Sequence, residues 1–328
     1  MGGGRMGKWR TMLESAAVLA AVGVAFTGSA LAGITYAAKN GSNSNSCTSP
    51  ATPCLTLGEA LAQAEAAGGF NRVVIVGTGV FVESLTLTSA TEIAGDASYY
   101  QAISPLSGKD AITINDDGKQ YEFLIDNVQI LGTFYGTGRG INVLDANSVN
   151  LQNVGIHGFG TAAIHFAPSK VIAVLSIENS IVGDGAGVQL QPTGNVNASS
   201  VISNTTIHNC FSSCLITDVS AMTGNGLNVL VKESTFANTN GYDIQATAIA
   251  GSTYMNVTVA NTSATLSELG GVSASGPHTY VFLDHATIAH NAKGVTNTNG
   301  GTLLSFGDND IYSNGIDING SLSPISPR

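Results

Sequence analysis

Charge is what this chain has least of. Asp, Glu, Lys and Arg together make 10% of its 328 residues, against roughly a quarter in an ordinary soluble domain. Lys and Arg number 12 against 22 Asp and Glu, a formal charge of −10. No basic stripe exists to neutralise a run of phosphates, which excludes nucleic acid as a partner. Aromatics are 6% of residues, with a single Trp. Beyond position 32 no stretch stays apolar for 18 residues, so no membrane span is expected once that segment is removed. The four cysteines fall in two close pairs, Cys47 with Cys54 and Cys210 with Cys214. Neither pair has the CxxC spacing that zinc favours, so disulfides are expected. Four cysteines allow three connectivities, of which local pairing is the simplest in an oxidising compartment. What the chain has in quantity is Gly (40 residues), Asn, Ser and Thr, beside 43% hydrophobic residues. It therefore has the apolar content to fold, and solvates itself with neutral polar groups.

Residues 1–32 have the three parts of a secretory leader. Arg5, Lys8 and Arg10 precede an uncharged apolar run from Ser15 to Phe26, and Ala30, Leu31 and Ala32 supply the small-x-small pattern. Cleavage after Ala32 would remove three basic groups and Glu14, leaving 9 basic and 21 acidic residues, or −12. The expected location is secreted, periplasmic or cell-surface.

One frame recurs through most of the chain. A polar anchor falls at Asn127, Asn153, Asn179, Asn204, Glu233, Asn256, His285 and Asp308. Two residues earlier stand Ile125, Leu151, Ile177, Ile202, Val231, Tyr254, Leu283 and Phe306; three residues later, Ile130, Ile156, Val182, Ile207, Phe236, Val259, Ile288 and Ile311. The anchors span 181 residues in seven steps of 23 to 29. A second short apolar segment follows each anchor, such as 140–143, 163–166, 187–190 and 315–318. Alternating apolar runs of this length are strands, and a repeat of about 26 residues built from them is a solenoid. Inward-facing Asn side chains at tight turns would bond one another along the stack. Asn204 and Asn256 also head N-x-S/T triplets, but as ladder residues they are expected to be buried. The fold class is thus all-β: a single-stranded right-handed parallel β-helix of about ten coils. Its expected organisation is a leader over 1–32, an N-terminal strand, disulfide loop and capping helix over 33–69, the β-helix over 70–321, and a tail over 322–328. That short tail leaves the last strand edge poorly shielded, which would permit end-to-end association.

This Asn ladder, coil length and leader resemble the secreted bacterial right-handed β-helix proteins of the pectin-lyase-like superfamily. ITYAAKNGSN (34–43), the Cys47/Cys54 loop and LTLGEALA (55–62) resemble the capping segment of such proteins, with a helix at about 56–67. RVVIVGTGVFVE (72–83) resembles their first strands and G-x-Y-x-E turn, with Phe81 in place of Tyr. The resemblance implies the fold; it leaves the activity open, because this scaffold hosts lyases, hydrolases, esterases, adhesins and proteins with no chemistry.

The motifs of those enzymes are mostly missing. A lyase needs a basic residue as proton acceptor, with calcium held by carboxylates in the metal-dependent kind. Arg139, beside Asp116 and Asp117 in the frame, is the one candidate base. Hydrolases of this fold would show N-T-D, G-H-G and R-I-K motifs; only the Asp116–Asp117 pair and a GIHG stretch at 155–158 are present. One constellation remains on frame geometry. Asp126 and Glu178 stand just before their anchors in an outward column, about 10 Å apart at two strand spacings. His157, Asp184 and His208 fall four or five residues after theirs and are expected to converge. His165 and His278 have no charged neighbour in sequence. The residues favour a secreted or surface protein that binds glycans or cell-surface components along a stacked polar face, without a cofactor. The alternative is a divergent uronate lyase or glycoside hydrolase using Asp126, His157, Glu178, Asp184 and His208, with calcium if a lyase.

Overall fold

A computed structural model describes residues 31–170, 172–224, 226–249 and 253–325. The leader read at 1–32 lies, up to residue 30, outside the described residues. From Leu31 onward the chain is a parallel β-helix, as its repeat foretold. Three sheets run the length of the solenoid, of 12, 10 and 10 strands, and the chain visits them in rotation. We call them sheets A, B and C. The first complete coil is Phe70–Ile75 (A), Gly79–Val82 (B) and Leu85–Leu87 (C); the last is Thr302–Ser305, Asp310–Tyr312 and Ile316–Asn319. That makes ten three-strand coils. Every paired strand is parallel to its neighbour, and sheet A keeps unbroken register through its middle coils: Leu151 on Ile177, Ile177 on Ile202, Ile202 on Val231. Strands such as Glu122–Asp126, Ile172–Glu178 and Gly226–Lys232 alternate inward and outward, so that every second residue enters the core. Ile130, Ile156, Val182, Ile207 and Phe236 form one such column, all fully buried, each worth roughly 1.5–3 kcal/mol of transfer free energy.

The N-terminal end is closed by one helix, Leu57–Ala67, packed on the strands Leu31–Ala37 and Phe70–Ile75 through buried Leu57, Ala60, Leu61 and Ala64. It begins where TLGE places a Thr three residues before a Glu: Thr56 caps it by accepting from the Glu59 N–H at 3.2 Å. The Glu of the G-x-F-x-E turn finishes that end. Glu83 accepts from the Leu57 and Gly58 N–H groups at 3.0 and 2.9 Å, setting an anion on a helix N-terminus. Cys47 pairs with Cys54, and Cys210 with Cys214. Leu322–Pro324, placed in the tail by the sequence, pairs with Thr302–Ser305 as the twelfth strand of sheet A.

The ladder differs from its expectation in three respects. First, the anchors face outward. Asn127 is half-buried, and Asn153, Asn179 and Asn204 are exposed; each turns the corner in left-handed geometry (φ 47–55°). Their amides do bond along the stack: Asn204 donates to Asn179 at 2.6 Å. Second, Asn256 is not an anchor. It lies within the strand Tyr254–Ala260, and the corner belongs to Asn261 (φ 46°). The core residue three beyond that corner is Ala264, small enough that the bulkier Val259 drew the frame five residues early. Third, Gly307 (φ 91°), not Asp308, takes the last corner.

The interior ladder is made of hydroxyls instead. The residue after each middle anchor is Ser180, Thr205, Ser234 or Thr262, all buried. Each hydroxyl donates to the carbonyl two residues before it, at 2.7–2.9 Å. Each accepts a backbone N–H from the coil below: Val154 to Ser180, Ser180 to Thr205, Thr205 to Ser234, Ser234 to Thr262, at 3.2–3.4 Å. One side chain thus satisfies two corner groups that burial would otherwise leave unpaired. Thr205→Val should destabilise by about 1–3 kcal/mol in chemical denaturation, through the orphaned Ser180 N–H, while Thr205→Ser stays close to wild type.

One buried acid has no such partner. Asp243 is fully buried, neither carboxyl oxygen is hydrogen-bonded, and it lies in register between Cys214 and Gly271. Burial pushes its carboxyl up to about 8. The unfolded chain ionises this group near 3.8, so between those values the fold holds a proton that the unfolded chain has lost, and stability falls as pH rises. Asp243→Asn should abolish that fall. Its advantage over wild type should grow from about pH 4 to about pH 8, by up to about 1.4 kcal/mol per pH unit, as followed by urea denaturation.

Candidate functional site

Sheet B carries His157 in the fourth coil, Gly183 in the fifth and His208 in the sixth, in direct register. All three positions face outward. Strand spacing alone would hold the two imidazoles about 10 Å apart. Their centroids are instead 6.4 Å apart, because Gly183 leaves the space between them open. A Cβ there would lie 3.2 Å from His208 Cε1 and Nε2. Asp184 then follows in left-handed geometry (φ 55°), which swings its carboxylate back over the sheet. Its Oδ2 lies 3.2 Å from His157 Nδ1, with the two side chains 35% and 26% exposed. Its Oδ1 accepts from Asn209 at 2.7 Å, and Asn209 accepts in turn from Asn238 at 2.6 Å. The Asn209 amide, with His208 and His157 adding to it against partial burial, holds the Asp184 carboxyl below its ordinary range. The arrangement orients His157 through Nδ1 and anchors the carboxylate, leaving two imidazoles on an open face.

Asp126 and Glu178 do not join this group. They stand two coils apart on sheet A, in the outward column Asp126, Gln152, Glu178 and Ser203. Asp126 is occupied by the corner amides, accepting from Asn127 at 2.7 Å and Asn153 at 3.0 Å. Among the described residues Glu178 accepts one long bond, from Ser176 at 3.4 Å. Arg139 is also elsewhere than expected. Its guanidinium lies 3.7 Å from Asp110, not beside Asp116 or Asp117. Asp117 pairs with Lys170 at 2.9 Å, and buried Asp116 accepts the Gly118 and Tyr121 N–H groups as a turn residue.

The sequence reading passed over two clusters. On sheet C, Asn142 donates to Asp110 at 2.8 Å and its carbonyl oxygen lies 2.8 Å from His165 Nδ1, so His165 does have charged neighbours. Burial and then Arg139 depress its pKa, with Asp110 opposing. The signal was available: Asn142 and His165 are the third residues of the segments 140–143 and 163–166. The second cluster is at the far end of the solenoid. His285 Nδ1 lies 2.8 Å from Asp284 Oδ1 and 3.1 Å from Asp308 Oδ2. Asp284 and Asp308 hold the imidazole pKa above its ordinary value. Among the described residues this is the group whose potential metal-ligand atoms all fall within 4.8 Å. It sits in the ninth and tenth coils, whereas Arg139 is in the third.

No family model matches this sequence, and no curated protein matches it. A solved structure that resembles it is that of the Dettilon tailspike protein, at 10% identity and a TM-score of 0.42, covering 82% of this chain and 64% of the tailspike. The chain thus spans just under two thirds of that protein's length.

Replacing Asn209 with Gly keeps the left-handed corner and removes the amide. The Asp184 carboxyl should then titrate closer to its ordinary value in a carboxyl carbon NMR titration. The stability that a depressed carboxylate lends above its unfolded pKa, and that is lost as pH falls through its folded one, should shrink with it.

Proposed function

We propose that this is a secreted or surface β-helix of the pectin-lyase-like kind that binds polysaccharide along its coil faces. The supporting observation is the meeting of His157, Asp184 and His208 across three coils on an open, outward sheet face. An outward sheet face presenting donors and acceptors at strand spacing suits an extended polymer. Export is supported by the leader pattern and the two disulfides. Binding is favoured over cleavage because four carboxylates are already engaged in the fold, which leaves Glu178 without a free carboxylate partner facing it: Glu83 holds the helix, Asp116 a turn, Asp126 the corner amides and Asp110 the Arg139 backbone. A hydrolase needs two that are free and facing.

A second reading is carried by the contact between His157 and Asp184, which orients an imidazole as a general base would be oriented. Affinity electrophoresis against neutral and acidic polysaccharides, run beside assays for reducing ends and unsaturated uronate, separates the two. Retardation by at least one polymer without product release is expected, weakened by Asp184→Asn. Product formation lost in Asp184→Ala would make the protein an enzyme and overturn the binding reading.

A further inference from the structure

Sheet A carries an aromatic patch on its outer face that neither the corner ladders nor the His157 group uses. In the eighth coil Tyr254 opens its strand, 45% exposed. Across the ladder, Thr279 pairs with Met255 and Tyr280 with Asn256, which sets His278 opposite Tyr254 and Tyr280 on the diagonal. The Tyr254 ring lies 5.0 Å from the His278 ring at 75°, and 6.3 Å from the Tyr280 ring at 26°. The two tyrosine rings are therefore nearly parallel, and the His278 ring stands crosswise against that of Tyr254. On the other side the register partner of Tyr254 is Gly226, which has no side chain to cover the ring. Amides border the patch, Asn256 donating to Asn228 at 3.0 Å.

The patch is also uncharged. From Asn197 through Gly226 and Asn228 to Tyr254, Asn256 and Tyr280, the outward residues of these strands carry no formal charge. The first charged column, with Lys232 and Asp284, comes at the strands' other end, six residues from Tyr254. At 3.3 Å per residue that is about 20 Å. In a protein of net charge −10, a neutral aromatic and amide surface selects against ligands that need a counter-charge. Aromatic faces take the apolar C–H face of a sugar ring, and amides take its equatorial hydroxyls.

We propose that Tyr254, with Tyr280 and the Asn228–Asn256 amide pair, is a stacking subsite for a neutral hexopyranose unit of the bound polysaccharide. This rests on the binding function proposed above and adds the ligand's charge class and its seat. Titrations of the full protein with a neutral glucan, a neutral mannan and polygalacturonate, followed by tyrosine fluorescence and calorimetry, test it. Tyr254→Ala should weaken binding of a neutral polymer about tenfold, and Tyr254→Phe should leave it within about threefold, since the ring rather than the hydroxyl makes the contact. Far-UV circular dichroism and melting temperature establish that the exposed Tyr254 site is altered without unfolding. Neutral-polymer binding unchanged in Tyr254→Ala, or weakened only by Asp184→Asn, would overturn the subsite while leaving the binding function. Binding confined to polygalacturonate would overturn it in the same way. Failure of every polymer to bind wild type would overturn both. A wild-type dimer that Tyr254→Ala converts to monomer in size-exclusion chromatography would show the patch to be a self-interface and overturn the subsite.

Discussion

A chain that stacks coil on coil must turn the same corner at every level, and it must bury the backbone groups of that corner each time. This constraint governs the rest of the structure. A left-handed residue makes the turn, and Asn is the L-residue that adopts that conformation at least cost. The next residue faces inward and must satisfy the N–H groups stranded at the bend. In the middle coils a short hydroxyl does this; in the last coil Asn309 does, accepting from the Ala286 N–H at 2.7 Å and donating to the Leu283 carbonyl at 3.0 Å. Ser180, Thr205, Ser234 and Thr262 each accept from one coil and donate within their own, so the ladder ties adjacent coils without a formal charge. Corners satisfied in this way need no ion pairs.

The fold was legible because its apolar columns are redundant. Ile125, Leu151, Ile177, Ile202 and Val231 share one face at a steady interval, so a single weak coil does not hide the period. The interval failed where that redundancy thinned. At Asn261 the core residue three positions on is Ala264, and an apolar count cannot distinguish a small core residue from a loop residue. The inward hydroxyls were invisible for a related reason. In a sequence rich in Ser and Thr, a hydroxyl buried at a corner looks like any solvated one, and only coordinates distinguish them. The direction in which Asn153 or Asn204 points was equally unreadable, since left-handed geometry is compatible with either a buried or an exposed amide.

The His157, Asp184 and His208 grouping was legible to the extent that register could be counted, because offsets from a common anchor translate directly into neighbours on adjacent coils. Asp126 and Glu178 satisfied the same count, yet they stand across a corner on another sheet. Counting gives position along the coil but not the angle through which the chain has turned. His165 shows the opposite error: its partner Asn142 could be counted from the repeat, but Asp110, which holds the Asn142 amide, belongs to a connecting segment outside the frame, so no offset pointed to it.

Both outward sites have one local feature in common, and it follows from the regularity of the solenoid. A perfect stack covers each side chain with its equivalents above and below, leaving only edges for a ligand. A glycine in an outward column breaks that cover. Gly183 lets the His208 ring lean toward His157, and Gly226 uncovers the flank of Tyr254. The two differ in why glycine is needed: Gly226 takes a φ of 142° that a side chain would strain. Gly183 adopts no left-handed geometry, and a Cβ on it would come within 2.4 Å of the His208 carbonyl. In a fold whose repeats make every coil a copy of the last, specificity for a ligand has to come from the places where the copy is incomplete. Those places are marked in this sequence by glycines within otherwise polar strands.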